Sequence, residues 1–284
     1  MSEGGEFLYL SYSGRKTFLT CPRQYFFRYI VKDRTQGDPR GSMFGTAIGK
    51  LFEWFYEERL WSLPDPVTSS MSKINDAISY AFDHEGYVRG TDPSYESRVK
   101  EDMRSFVPSG VEIIKSGGFL TPYSRTEVDL TVTYSPPESP ITLKMGGRAD
   151  FIHGQTRDNV WILDGKASKH REKYVDSDQL IWYATQHYLK YHVAPSRLGF
   201  IFWCFPDTPI SWIEYDSDSM RSLAKKTIEV SRRILDKDFA PTPSGECHRC
   251  PYKPKCDEGN IYLSKRKVES GGRIDDSVFE VERL

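Results

Sequence analysis

The hydrophobic period of this chain changes in the middle, and that change limits the folds open to it. Up to about residue 118 the apolar residues recur at helical spacing. From Arg125 to Tyr134, TEVDLTVTY then alternates polar and apolar residues with the two-residue period of a strand. PPESP turns the chain, and ITLKMGGRADFIH returns as a second strand. After QTRDN, a third run, VWILDGKAS, opens with four apolar residues and closes with polar ones, the pattern of a buried central strand. A helical stretch from about Asp176 to His192, the aromatic strand LGFIFWCF, a PDTP turn and the strand ISWIEYD follow. A hairpin, a buried strand, a crossover helix and further strands predict an α/β fold with a mixed central sheet flanked by helices.

The first third reads as helix. Ser11 or Ser13 caps a segment running through Phe18 and Leu19 into CPRQYFFRYI. Phe44, Ile48, Leu51, Phe52 and Phe55 share one side of a long amphipathic helix. Two more helical stretches span about 70–89 and 95–116, with a break or kink expected at Pro108. A last long helix covers 217–237, and 263–284 reads as a loosely ordered polar tail. The expected organisation is a single domain over 1–262: a helical part at about 10–118, a sheet core at about 119–215, and a closing helix with a cysteine-bearing loop at about 216–262.

At 284 residues and 38% hydrophobic, the chain can bury a large core without disulfides. No apolar run approaches membrane-spanning length, and MSEGGEFLYL lacks the features of a secretory signal, so no membrane partner and a cytoplasmic location are expected. Thiols stay reduced there and are available to metals. The net charge of −1 provides no global basic field, so an anionic partner must be held by local patches or by metal ions.

Four of the five cysteines lie near the two ends of the chain. Cys247, Cys250 and Cys256 form a C-x2-C-x5-C cluster spaced for thiolate ligation, and Cys21 is the candidate fourth ligand. Zinc held by the three C-terminal cysteines with His248, and an iron-sulfur group, are both compatible with this spacing. A metal on all four thiols would lock the first helix to the last loop. Cys204, inside an apolar aromatic stretch, reads as a buried core thiol.

Asp150 lies near the end of the second strand, and Asp164 and Lys166 at the end of the third. Residues two apart on a strand face the same side, so Asp164 and Lys166 project together. LDGK taken alone also suits a hairpin turn, but the apolar run before it and ASKH after it favour a strand end. With Asp150 on the adjacent strand, two carboxylates converge as a hard divalent cation such as Mg²⁺ or Mn²⁺ requires. Gln179 and Tyr183, four apart, share one face of the helix that follows.

Together these residues resemble a known family. Glu127, the GGRAD run ending in Asp150, Asp164-Gly165-Lys166 and Gln179-x3-Tyr183 are similar to the successive motifs of the PD-(D/E)XK nucleases, in the branch resembling the RecB nuclease domain. LSYSGRKTFLTCPRQYFFRYI and the C-terminal C-x2-C-x5-C resemble the cysteine set of AddB-type and CRISPR-associated RecB-like exonucleases. The resemblance spans about residues 9–258 and implies a restriction-endonuclease-like core. It also implies that Asp150 and Asp164 bind the catalytic Mg²⁺ or Mn²⁺, that Lys166 acts on the attacking water, and that Glu127 is an auxiliary acid. Gln179 and Tyr183 would position the lysine, the metal shell or the DNA, and Cys21, Cys247, Cys250 and Cys256 would hold a [4Fe-4S] cluster.

The implied activity is that of a metal-dependent DNA exonuclease on single strands or free ends, in recombination and repair or in CRISPR spacer processing, with a helicase or other pathway protein as partner. The alternative is a DNA-binding or scaffold protein of the same fold that has lost strong cleavage. One departure permits that alternative: many relatives carry a histidine in a G-T-x-x-H-x-x-x-E segment, and GTAIGKLFE has Gly49 there, so that the site works without an imidazole, is compensated by Glu53 one turn on, or is weakened. Backbone phosphates are expected to meet Arg15, Lys16, Arg23 and Arg28, and Lys169, His170, Arg171 and Lys173. Tyr12, Tyr25, Phe26 and Phe27 are candidates for base stacking.

Overall fold

The computed structural model describes residues 6–269 apart from Gln36, Glu138, Gln155, Arg157, Asp158 and Lys169. In chain order its elements are β1 (Phe7–Ser11), α1 (Tyr12–Thr20), α2 (Pro22–Tyr25), α3 (Arg40–Glu57), α4 (Pro66–Ser72), α5 (Ile74–Glu85) and α6 (Pro93–Ser116). There follow β2 (Arg125–Asp129), β3 (Val132–Tyr134), β4 (Thr142–Gly146), β5 (Arg148–Gly154), β6 (Val160–Lys166), α7 (Gln179–Tyr191), β7 (Arg197–Phe202), β8 (Ile210–Ile213), α8 (Ser217–Leu235) and α9 (Asp257–Glu269). No helix among the described residues is long and apolar enough to cross a membrane.

The chain divides into two compact units. One comprises residues 39–130 and 147–221, and the other residues 1–38, 131–146 and 222–284. Each half of the expected hairpin is thereby cut in two. The alternating run from Arg125 ends as β2 at Asp129 and resumes as β3 at Val132, and the return run is β4 up to Gly146 and β5 from Arg148.

The first unit is built on a five-stranded sheet in the order β2-β5-β6-β7-β8. Only β6 and β7 run parallel, with α7 as the crossover between them; every other pairing is antiparallel. One face of the sheet packs on α3, α5 and α6 through a core that includes Phe52, Phe55, Met103, Phe151, Leu163, Ile201 and Trp203. Phe52 and Trp203 pack with ring centroids 4.4 Å apart. This pair is wedged between two glycines: a Cβ at Gly110 of α6 would strike the Phe52 ring, and one at Gly165 of β6 would come within 2.8 Å of Trp203. Pro108 does not interrupt α6, which runs through it to Ser116.

The second unit holds a three-stranded sheet, β1-β4-β3, in which β1 pairs parallel to β4. Ser11 caps α1 by accepting from the Gly14 N–H at 3.0 Å, as expected. The helix then stops at Cys21, which is extended at φ −160°, before Pro22 opens α2. The strand β1 is missed in the sequence because its five residues abut the cap without a turn signal. Residues 263–269 of the expected polar tail belong to α9, and residues 270–284 lie outside the described residues.

Candidate active site

Strand register sets the acidic side chains in one row. Thr126 pairs with Phe151 and Val128 with Ala149, so Glu127 of β2 stands opposite Asp150 of β5. Phe151 pairs with Leu163, and one step further Asp150 stands opposite Asp164 of β6. Opposed residues project from the same face of a sheet, so the Asp150 and Asp164 carboxylates lie side by side on the face away from the Phe52–Trp203 core, and Glu127 extends the row on the neighbouring strand within electrostatic reach of Lys50 and Glu53 of α3. Glu127 takes a left-handed backbone, φ 49°, which a side-chain-bearing residue adopts at a cost of about 1–2 kcal/mol.

Asp-Gly forms no hairpin turn here, because β6 continues through it to Lys166. Asp164 is buried at 2% exposure and forms an ion pair with Lys166. Gln179, the first residue of α7, bridges the two: its Nε2 donates to Asp164 Oδ1 at 2.9 Å, and its Oε1 accepts from Lys166 Nζ at 3.1 Å. The same amide nitrogen lies 3.2 Å from the Tyr183 hydroxyl, one helical turn along. Asp150 Oδ2 accepts from the Gly165 N–H at 3.0 Å, which ties β5 to the middle of the Asp-Gly-Lys triplet.

The charges in this row explain its titration. Burial and the neighbouring Asp164 carboxylate push the Asp150 carboxyl well above its ordinary range. Burial pulls the Lys166 ammonium down, but the charge and hydrogen bond of Asp164 outweigh it and hold the lysine protonated above its ordinary value. Burial and Glu53 raise Glu127, while Arg148, 3.6 Å away, and Lys50 counter them. Two adjacent carboxylates that resist joint ionisation form a donor pair suited to a hard divalent cation. No group of three or more His, Cys, Asp or Glu side chains among the described residues is closed into a ready ligand shell for a metal ion.

Several contributors escape sequence reasoning. Tyr174 and Phe200 flank the Lys166 ammonium, with ring centroids 5.1 and 5.3 Å from Nζ. Phe200 carries a faint signal, since the parallel register places it beside Asp164, but Tyr174 carries none. Trp203 supports the triplet from beneath Gly165. Lys50 pairs with Glu53 at 2.7 Å and adds a positive charge near Glu127. Gly49 is exposed on α3, and a side chain there would meet nothing within 4 Å.

The four terminal cysteines come together in the other unit. Cys21, Cys247, Cys250 and Cys256 line one depression, beside Arg23, Phe27, Tyr252 and Gly259. Burial, followed by the charges of the other three cysteines, raises the Cys250 thiol. Gly259 fits against the sulfurs, since a Cβ there would sit 3.5 Å from both Cys247 and Cys256. Four thiols around one depression are a soft donor set, the chemistry that zinc or an iron-sulfur group takes. Cys204 lies just past the end of β7, half-buried rather than within the strand, with its thiol 3.1 Å from the Ser168 carbonyl.

The expected phosphate contacts are largely structural. Arg15 is buried, Arg23 donates from Nε to the Phe239 carbonyl, and Arg171 lies over the Phe205 ring and donates to Thr208. His170 pairs with Glu172, while Lys169 lies outside the described residues. Tyr25 is buried, and Phe26 and Phe27 pack on Phe239 and Tyr252, so these rings are core contacts. Lys16 and Arg28 remain exposed.

Residues 9–257 match the PD-(D/E)XK nuclease superfamily. Among solved structures, one described as the crystal structure of SSO0001 aligns over 91% of this chain and 88% of its own, at 17% identity and a TM-score of 0.36. No curated protein sequence matches the chain.

Proposed function

The chain belongs to the PD-(D/E)XK nuclease superfamily, and from that premise we propose that it is a deoxyribonuclease that uses Mg²⁺ or Mn²⁺, acting as an exonuclease on single-stranded DNA or free ends. The observation that carries this reading is the row of Glu127, Asp150 and Asp164 across three strands, with Gln179 bridging Asp164 to Lys166. A divalent cation held by Asp150 and Asp164 would neutralise their mutual repulsion and, as a Lewis acid, stabilise charge on the phosphate oxygens.

The protein's own groups then have distinct roles. Lys166, held as an ammonium, donates a hydrogen bond that orients the attacking water or a phosphate oxygen; its raised affinity for the proton argues against a free-base role while it faces Asp164. Gln179 fixes both partners of that pair, and Tyr183 fixes Gln179. Glu127, on the strand farthest from Lys166 in the row, is the candidate proton acceptor for the water, since burial and Glu53 raise its affinity for a proton. The cysteine set would hold a [4Fe-4S] cluster of the kind found in RecB-like exonucleases, consistent with a role in recombination, repair or CRISPR spacer processing alongside a helicase or other pathway protein.

The test is degradation of end-labelled single-stranded DNA with Mn²⁺, comparing the wild type with Lys166→Ala. Loss of cleavage in the variant with an unchanged melting temperature is expected. A wild type that binds DNA but cleaves no faster than the variant would establish the non-catalytic reading instead. Iron and acid-labile sulfide in anaerobically purified protein, both lost in Cys21→Ala, test the cluster; zinc without sulfide would sink it.

A further inference from the structure

The near-zero net charge conceals a separation. The unit formed by residues 1–38, 131–146 and 222–284 carries 20 Lys and Arg against 16 Asp and Glu, while the catalytic unit carries 19 against 24. Within the basic unit the excess is concentrated on two segments that pack together. Phe27 stacks on Tyr252 at 5.2 Å, the Tyr252 hydroxyl donates to the Asp33 carbonyl at 3.1 Å, and Lys255 Nζ pairs with the Asp33 carboxylate at 2.6 Å. Residues 28–34 bring the exposed Arg28, Lys32 and Arg34, with Asp33 as the one acid among them. Residues 246–255 bring Arg249, Lys253 and Lys255 against Glu246, and Asp257 and Glu258 follow at the start of α9.

Asp33 is already committed. The hydrogen bonds of Lys255 and Thr35 lower its carboxyl to about 2, so it neutralises Lys255 and leaves the rest of the patch positive. Arg28, Lys32 and Arg34 are exposed along one stretch, and Ile30 and Val31 stand out between them at 47% and 52% exposure. Exposed cations alternating with exposed apolar side chains complement a flexible strand that offers phosphates and unstacked bases together.

We propose that this surface, beside the cysteine depression, is a docking site for the sugar-phosphate backbone of single-stranded nucleic acid, with Ile30 and Val31 in contact with bases. The proposal rests on the nuclease reading for its choice of polyanion; an anionic membrane surface is the competing partner.

Full-length Lys166→Ala protein is titrated with fluorescent oligothymidylate across a salt series, with and without Arg28→Glu, Lys32→Glu and Arg34→Glu combined. The reversal should weaken binding on the order of ten-fold or more and flatten the slope of log affinity against log salt by about 2, roughly 0.7 for each phosphate no longer neutralised. In protein that retains Lys166, the three reversed positions should leave cleavage of bis(p-nitrophenyl) phosphate intact, because that small diester has no backbone to dock. Unchanged oligonucleotide binding overturns the patch while leaving the nuclease reading in place. Loss of binding to phosphatidylserine vesicles with oligonucleotide binding unchanged overturns it in favour of a membrane. A wild type that binds oligonucleotide through the patch but cleaves neither DNA nor the diester removes the nuclease reading and keeps the patch. If the triple reversal does not fold, Arg28→Gln with Arg34→Gln serves for the same comparisons.

Discussion

At the scale of single residues, Gln179 is the joint on which the site turns, because one amide faces both members of the Asp164–Lys166 pair. Gln179→Ala should leave the fold intact and lower cleavage about 10- to 100-fold, the usual cost of losing a group that orients a ligand of the reacting centre; single-turnover rates at saturating Mn²⁺ check it. Asp150 makes a different prediction. Its carboxyl is raised by burial and by Asp164, so in metal-free solution near neutral pH its ionisation opposes folding. Asp150→Asn should therefore raise the melting temperature of the metal-free protein, and on the proposed metal site the wild type but not the variant should gain stability on adding Mn²⁺. A variant that melts lower than wild type without metal would contradict this account of the row. Neither effect is visible in the sequence, from which the convergence of Asp150 and Asp164 follows but the burial that raises Asp150 and the two-way bridge of Gln179 do not.

Elements impose their own constraints through glycines of opposite kinds. Gly45 sits on α3, and a methyl group at its Cβ position would meet nothing within 4 Å. Gly45→Ala should therefore stabilise the protein by about 1 kcal/mol through helix propensity alone. Gly165 is the reverse case, since a Cβ would lie 2.8 Å from Trp203, and Trp203 is held by Phe52 at 4.4 Å and Phe151 at 5.8 Å. Gly165→Ala should cost about 1–3 kcal/mol by overpacking and disturb Asp150, which the Gly165 N–H holds. Denaturant midpoints of the two variants should move in opposite directions. From sequence alone both are glycines inside regular elements. What separates them is the tertiary neighbour, and Gly165 opposes an aromatic ring carried just beyond the end of the next strand, β7.

For the whole molecule, the acid sensitivity of stability follows from two imidazoles in the catalytic unit. Burial lowers His153 below its ordinary 6.5, and burial lowers His187 likewise despite its hydrogen bond to the Val193 carbonyl. A folded-state value below the unfolded one means the unfolded chain takes up the proton first. Their contribution is therefore complete above about pH 6.5 and is lost as pH falls through the lowered folded values. Asp150 and Glu127, whose carboxyls are raised in the fold, act in the opposite sense as pH falls, so the imidazole contribution is read as a difference: the melting temperature of His187→Gln relative to wild type should rise as pH drops below about 6.5, and an unchanged difference would remove His187 from the explanation. At this scale the periodicity of the chain was sufficient to assign the α/β class, the long amphipathic α3 and α8, and β6 with Asp164 and Lys166 at its end, because each is a local pattern backed by burial on one face. The order of the acidic and polar motifs likewise carried the family, and residues 9–257 match it. Tertiary structure alone decided the rest. The meeting of Cys21 with the three C-terminal cysteines was already an expectation of the sequence, but register set Glu127 in line with Asp150 and Asp164, and packing turned the expected DNA-contacting Arg15 and Tyr25 into core. Those outcomes depend on contacts between residues far apart along the chain, whose energies arise only once strands pair and rings pack, and no local period in a sequence encodes them.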